Sequence, residues 1–125
     1  MRLLGNGKLS ARFDSECPAT REILSLVGDK WSVLVIVNLG AGPVRFGALR
    51  RTIAGISPRV LTHTLRRLER DGLVRRTVHA AKPPQVDYAL TALGRTLLEP
   101  VTGLAVWAQR HRATIQRSRA AFGAR

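Results

Sequence analysis

Between Ser57 and Gly72 the chain reads SPRVLTHTLRRLERDG. With Leu61 at the centre of one helical face, Leu65 and Leu68 fall in a narrow stripe beside it, with Thr64 at its edge. Arg59, Thr62, His63, Arg66 and Arg70 fall on the opposite side, and Arg67 flanks them. That outer face suits a ligand that is both anionic and edged with hydrogen-bonding groups. An Arg guanidinium forks onto phosphate or onto a guanine edge, and a Thr bonds a base or touches a thymine methyl. Where such a helix follows another in a helix-turn-helix, its N-terminal half meets the base edges, which points to Arg59, Thr62, His63 and Arg66. Arg67 and Arg70 sit further along, to meet phosphates or to pair with Glu69 and Asp71. Taken alone, the segment also reads as an ordinary surface helix with solvated charges, so its surroundings must decide.

Those surroundings are basic. The whole chain has 21 Lys and Arg against 8 Asp and Glu, a net charge of +13. From Arg45 to Lys82 there are ten basic residues and two acidic ones. A field of this sign draws the protein toward polyanions, with nucleic acid first and an anionic membrane surface second. Nearly all of the charge is Arg, with Lys only at positions 8, 30 and 82. Arg-rich coding in a high-GC genome accounts for part of that bias. The 125 residues fit one domain able to hold a core without disulfide or metal. A single cysteine, Cys17, excludes an intramolecular disulfide and a multi-Cys zinc site, and suits a reducing cytoplasm. The N-terminus lacks a signal-peptide core, and the longest apolar run, VLVIVNL, is far below the ~20 residues that span a bilayer. These features describe a soluble, cytoplasmic protein, held at the nucleoid if its ligand is DNA.

The elements that must position the basic face follow from caps and periodicity. Residues 1–15 read as a loose arm. A first helix starts near Pro18 and ends at Gly28, with Ile23, Leu24 and Val27 on one face. A second runs from Asp29 as cap to Leu39, with Gly40 past its end. Its β-branched WSVLVIVNL could pass for a strand, but the cap, the stop and the length favour a helix covered on several sides. GAGPV is a turn. A short third helix places Phe46, Leu49 and Ile53 inward and Arg45, Arg50 and Arg51 outward. Ser57 then caps a fourth, with Pro58 at its first position and Gly72 as its stop.

Two alternating segments, LVRRTVH and VDYALT, form a hairpin joined by AAKPPQ. Arg75 and Arg76 are adjacent on a strand and point to opposite faces, so only one can face a duplex directly. Lys82 with Pro83 and Pro84 makes a stiff tip suited to a groove or a phosphate strand, or simply closes a tight hairpin. Thr91 caps a long last helix in which Leu93, Leu97, Leu98, Val101, Leu104 and Trp107 recur at helical spacing. Pro100 and Gly103 inside it predict a kink or break, and the pattern turns polar and basic after Trp107. The order of four helices, a β-hairpin and a helix is that of a mainly α, winged helix-turn-helix protein with a small β-hairpin wing. We divide it into an arm (1–15), the winged domain (16–108) and a basic helical extension (109–125).

The stretches CPATREILSLVGDKW, RFGALRRTIAGISPRVLTHTLRRLERDGLVRR and PPQVDYALTALGRTL, followed by Trp107, resemble the HxlR-type transcriptional regulators, relatives of the MarR regulators. The resemblance covers about Cys17 to Trp107. Gly-Asp-Lys-Trp stands where that family usually has Gly-Gly-Lys-Trp, and the wing wording HAAKPP departs from the usual one. The resemblance implies a homodimeric bacterial regulator of double-stranded DNA, with the first and last helices building the dimer. Ile23, Leu24, Val27, Leu104 and Trp107 would then face the partner. Two reading helices would reach successive major grooves about 34 Å apart on an inverted repeat. By position, Arg45 and Arg51 would hold phosphates, with Arg50 and Arg70 beside them. Ser57 to Arg67 would read the groove, and Arg75, Arg76 and His79 to Lys82 would form the wing contacts.

Several members of that family sense oxidants or electrophiles through a cysteine at this Cys-Pro position. Cys17 would sit in the first turn of a helix, where the dipole, free N–H groups and Arg21 favour thiolate and Glu16 opposes it. The plainer reading is a small residue that merely starts the helix. A second sensor reading places a small apolar ligand between dimer helices near Trp31 and Trp107, residues that also read as core. No cofactor or metal is implied. His63, His79 and His111 are scattered, and the chain has no Gly-rich phosphate loop, metal-ligand spacing or paired carboxylates, which argues against an enzyme. A non-specific architectural nucleic-acid binder would explain the charge equally well, but not the Thr and His on the reading face.

Overall fold

The structure is a computed structural model and describes residues 18–124. The arm and Cys17 lie outside the described residues. Helix α1 spans Pro18–Gly28, α2 Lys30–Asn38, α3 Phe46–Thr52, α4 Pro58–Arg70 and α5 Ala92–Gly123. Strands are β1 Val44–Arg45, β2 Val74–His79 and β3 Gln85–Leu90.

The helix starts are set by short-range chemistry. Asp29 accepts a hydrogen bond from the Ser32 backbone N–H at 3.2 Å, Ser57 from Val60 at 3.1 Å, and Thr91 from Gly94 at 3.0 Å. Each satisfies one of the donors a helix N-terminus otherwise leaves bare. The α4 exit uses Gly72 at φ +78°, and the Leu73 N–H returns to the Leu68 carbonyl at 2.9 Å. A left-handed residue followed by such a return bond closes a helix C-terminus, and Gly takes that conformation at least cost.

The core centres on α2. Ser32, Val33, Val35, Ile36 and Leu39 are buried there, against Leu61, Leu65 and Leu68 of α4 and Val101 of α5. The β-branched run is helical because Asp29 caps it and neighbours cover it on several sides, which overrides a weak strand propensity. Thr64 is buried with the α4 stripe rather than at its edge. On α3, Leu49 and Ile53 are buried, while Phe46 is half-buried and packs against the core.

Two expectations need correction. The wing is a three-stranded antiparallel sheet in the order β1-β3-β2, not a hairpin alone. Val44 pairs with Tyr88 and Arg45 with Asp87, so the residues after the GAGP turn form an edge strand too short to show alternation. The last helix does not break: α5 runs unbroken through Pro100 and Gly103. Pro100 removes one backbone donor, but Leu97 and Leu98 before it and Val101 and Ala105 after it pack on the core, which holds both halves in one helix. On α1 the buried residue is Leu26, whereas Ile23 and Leu24 are exposed and Val27 is half-buried.

Candidate nucleic-acid interface

Helix α4 presents its core stripe inward and Arg59, Thr62, His63 and Arg66 to the outside. These are the four residues that pattern alone assigned to base reading. Ser57 is exposed, with its hydroxyl oxygen taken up by the helix cap. Arg45, Arg50 and Arg51 are exposed at the start and end of α3, the first helix of the pair.

Further along α4 the surface changes character. Arg70 donates from Nε to Asp71 Oδ1 at 3.2 Å and from Nη2 to Oδ2 at 3.3 Å. The Asp71 hydrogen bond and charge, with Glu22 adding a smaller effect, raise the Arg70 pKa. Of the two expectations for Arg70, acid pairing is the one seen. Arg67 is half-buried. It lines a groove of about 880 Å³ together with Arg70, Asp71, residues of α1, and Leu93, Thr96 and Leu97 of α5. Neither Trp31 nor Trp107 lines that groove. Trp31 is half-buried under the Lys30 ammonium, 4.8 Å from the ring centre. Trp107 is 53% exposed, with its ring 5.0 Å from that of His111.

The wing joins α4 along a cleft of about 430 Å³. Thr62 of α4, Arg45, Phe46 and Gly47, and Pro84 to Val86 with Tyr88 line it. Cross-strand partners share a sheet face. The register pairs Arg76 with Tyr88 and Arg75 with Ala89, which puts Arg76 on the core-side face and Arg75 on the outer one. Both are exposed, as are His79 and Lys82.

The strand-only reading of VDYALT passed over one residue, Asp87. Its Oδ2 lies 2.8 Å from His79 Nε2 and its Oδ1 lies 3.6 Å from Arg45 Nε. An acidic residue thus sits between two residues expected to contact DNA, Arg45 and the wing residue His79. The only sequence signal for it was the i-to-partner register of the hairpin, which requires the turn length to be known. Among the described residues no group of three or more His, Cys, Asp or Glu could hold a metal ion. No helix there is long and apolar enough to cross a membrane.

Comparison with known proteins agrees with this geometry. The HxlR-like helix-turn-helix family matches residues 26–116. The HTH-type transcriptional regulator YtfH of Escherichia coli is 43% identical over 95 residues, covering 76% of this chain and 75% of that one. The solved structure of the transcriptional regulator YtfH from Salmonella typhimurium superposes with a TM-score of 0.78 at 37% identity, covering 86% of this chain and 96% of that one. The redox regulator HypR in its reduced form superposes with a TM-score of 0.71 at 35% identity, covering 79% of this chain and 98% of that one. With its capped second helix, its three-stranded wing and relatives that are regulators rather than enzymes, this chain belongs to the HxlR-like helix-turn-helix family of transcriptional regulators.

Proposed function

We propose that the regulator binds an inverted-repeat operator as a homodimer and answers to oxidants or electrophiles through Cys17. The observation that carries the DNA reading is the exposed row Arg59, Thr62, His63 and Arg66 beside a basic wing. Arg59 and Arg66 suit guanine edges, and Thr62 suits a thymine methyl. Arg45, Arg50 and Arg51 suit phosphates, as do Lys82 and one of the oppositely facing pair Arg75 and Arg76. Arg67 and Arg70 are the weaker members of that set, since Arg70 already holds Asp71.

Exposed apolar side chains support the dimer. Ile23 is 60% exposed, and Leu24, Leu93, Leu104 and Trp107 are about half exposed. Apolar surface of this extent on a first and a last helix suits burial against a second copy. The redox part rests on similarity to HypR, a redox regulator, and on Cys17 next to Pro18.

A nuclease footprint on the protein's own upstream region, with and without diamide, tests the whole reading. Protection should cover two half-sites and survive excess random DNA, with a preference of ~10³-fold or more. Loss of protection in proportion to competitor would instead indicate an architectural binder. Diamide should lift protection for the wild type and not for Cys17→Ser. An equal response from both would remove Cys17 as the switch.

A further inference from the structure

Asp87 is anomalous on a surface meant for a polyanion. It is the central residue of the outer sheet face, with Arg45 on one side and Thr77 on the other, and His79 two residues along β2. Its side chain is 24% exposed, against 61% for Arg45 and 50% for His79. Oδ1 is buried without a hydrogen-bond partner. An unsatisfied carboxylate oxygen costs stability, and a negative charge here opposes attraction to phosphate. The residue works against both unless its geometry contributes something.

The geometry points to a positioning role. The Arg45 nitrogen that meets Asp87 is Nε, 3.6 Å from Oδ1. A guanidinium engaged at Nε still presents its two Nη groups, the fork that fits a phosphate. The other carboxylate oxygen takes Nε2 of His79, and since an ionised carboxylate can only accept, Nε2 is the donor. One carboxylate therefore ties the residue that starts α3 to the outer strand of the wing. We propose that Asp87 is a positioning residue for DNA, holding Arg45 with its Nη groups toward a single phosphate at a fixed place relative to the wing. This rests on the DNA-binding reading above. A long cation held in its bound rotamer loses less entropy on association than one that must be ordered by the ligand.

Charge alone and positioning predict opposite signs. The test is fluorescence anisotropy of a short random-sequence duplex at low salt with the full-length chain, because a phosphate contact needs no operator. Asp87→Asn should weaken binding about three- to tenfold although it makes the protein more positive. In an Arg45→Ala background the same change should have little further effect. Binding by Asp87→Asn that is as tight as wild type or tighter overturns the proposal. So does a loss that persists undiminished in the Arg45→Ala background, since Asp87 would then act through the fold. Should Asp87→Asn fail to melt cooperatively, Arg45→Lys carries the test. Lys keeps the charge but cannot serve Asp87 and a phosphate at once, so it should lose most of what Arg45→Ala loses. Wild-type affinity there would overturn the proposal. A wild-type chain that binds no duplex would instead overturn the DNA-binding reading itself.

Discussion

Gly94→Ala sets two effects of known sign against each other. Gly94 is buried in the first turn of α5. Its N–H donates to Thr91 Oγ1 at 3.0 Å. The Thr91 hydroxyl donates to the Gly72 carbonyl at 2.5 Å, and the Thr91 N–H donates to the Leu73 carbonyl at 3.1 Å. A methyl at position 94 would stand 2.1 Å from that Leu73 oxygen and 3.1 Å from its carbonyl carbon. Both neighbours are backbone, so one of the two segments must retreat by about an ångström to restore an ordinary contact. Overpacking of this kind costs ~1–3 kcal/mol. Retreat also stretches the Thr91–Leu73 bond, worth about 1 kcal/mol net. The better helix propensity of Ala returns about 1 kcal/mol. The balance is a loss of roughly 2 kcal/mol, which for a domain of this size lowers Tm by about 6–10 °C. Thermal melting followed by far-ultraviolet circular dichroism measures it. A Tm at or above wild type would mean that the Leu73 carbonyl yields freely and that the close approach constrains nothing.

Arg66→Ala should weaken binding about 5- to 150-fold on the operator and much less on random DNA, because a base-edge contact is worth ~1–3 kcal/mol. Arg51→Ala should weaken both about equally and lower the salt slope by about one, as loss of a phosphate contact does. Anisotropy titrations of both variants on both DNAs check this, and equal losses everywhere would undo the division of roles. Trp107→Glu puts a charge on the exposed apolar face of α5 and should shift the protein to monomer in sedimentation velocity. An unchanged dimer would place the interface elsewhere.

What the sequence alone disclosed was chemistry that acts over three or four residues. Asp29, Ser57 and Thr91 announced their helices because a cap reaches only to the next turn. Leu61, Leu65 and Leu68 announced the core stripe because one helix sets their spacing. The miss at β1 has a different origin: Val44 and Arg45 are a strand only because Tyr88 and Asp87, more than forty residues away, pair with them. The unbroken α5 is likewise a tertiary result, since packing on both sides of Pro100 outweighs one lost bond. Helical spacing joined Leu93 and Trp107 to Leu97 and Val101, yet only the latter two pack on the chain's own core. Periodicity identifies an apolar residue without saying which chain will cover it.

Two contacts that frame the α3–α4 pair share this long-range character. At the entry, Asp87 faces Arg45 at the start of α3. At the exit, Thr91 binds Gly72 and Leu73, the first residues past α4. Asp87 lies on β3 and Thr91 directly follows it, so the central strand of the wing meets the helix pair at both ends. Local propensity accounts for α4 as a helix, and its apolar stripe accounts for the side it buries. How α4 sits against the wing rests on the core they share and on two polar contacts, from a carboxylate and a hydroxyl four residues apart on β3 and its end.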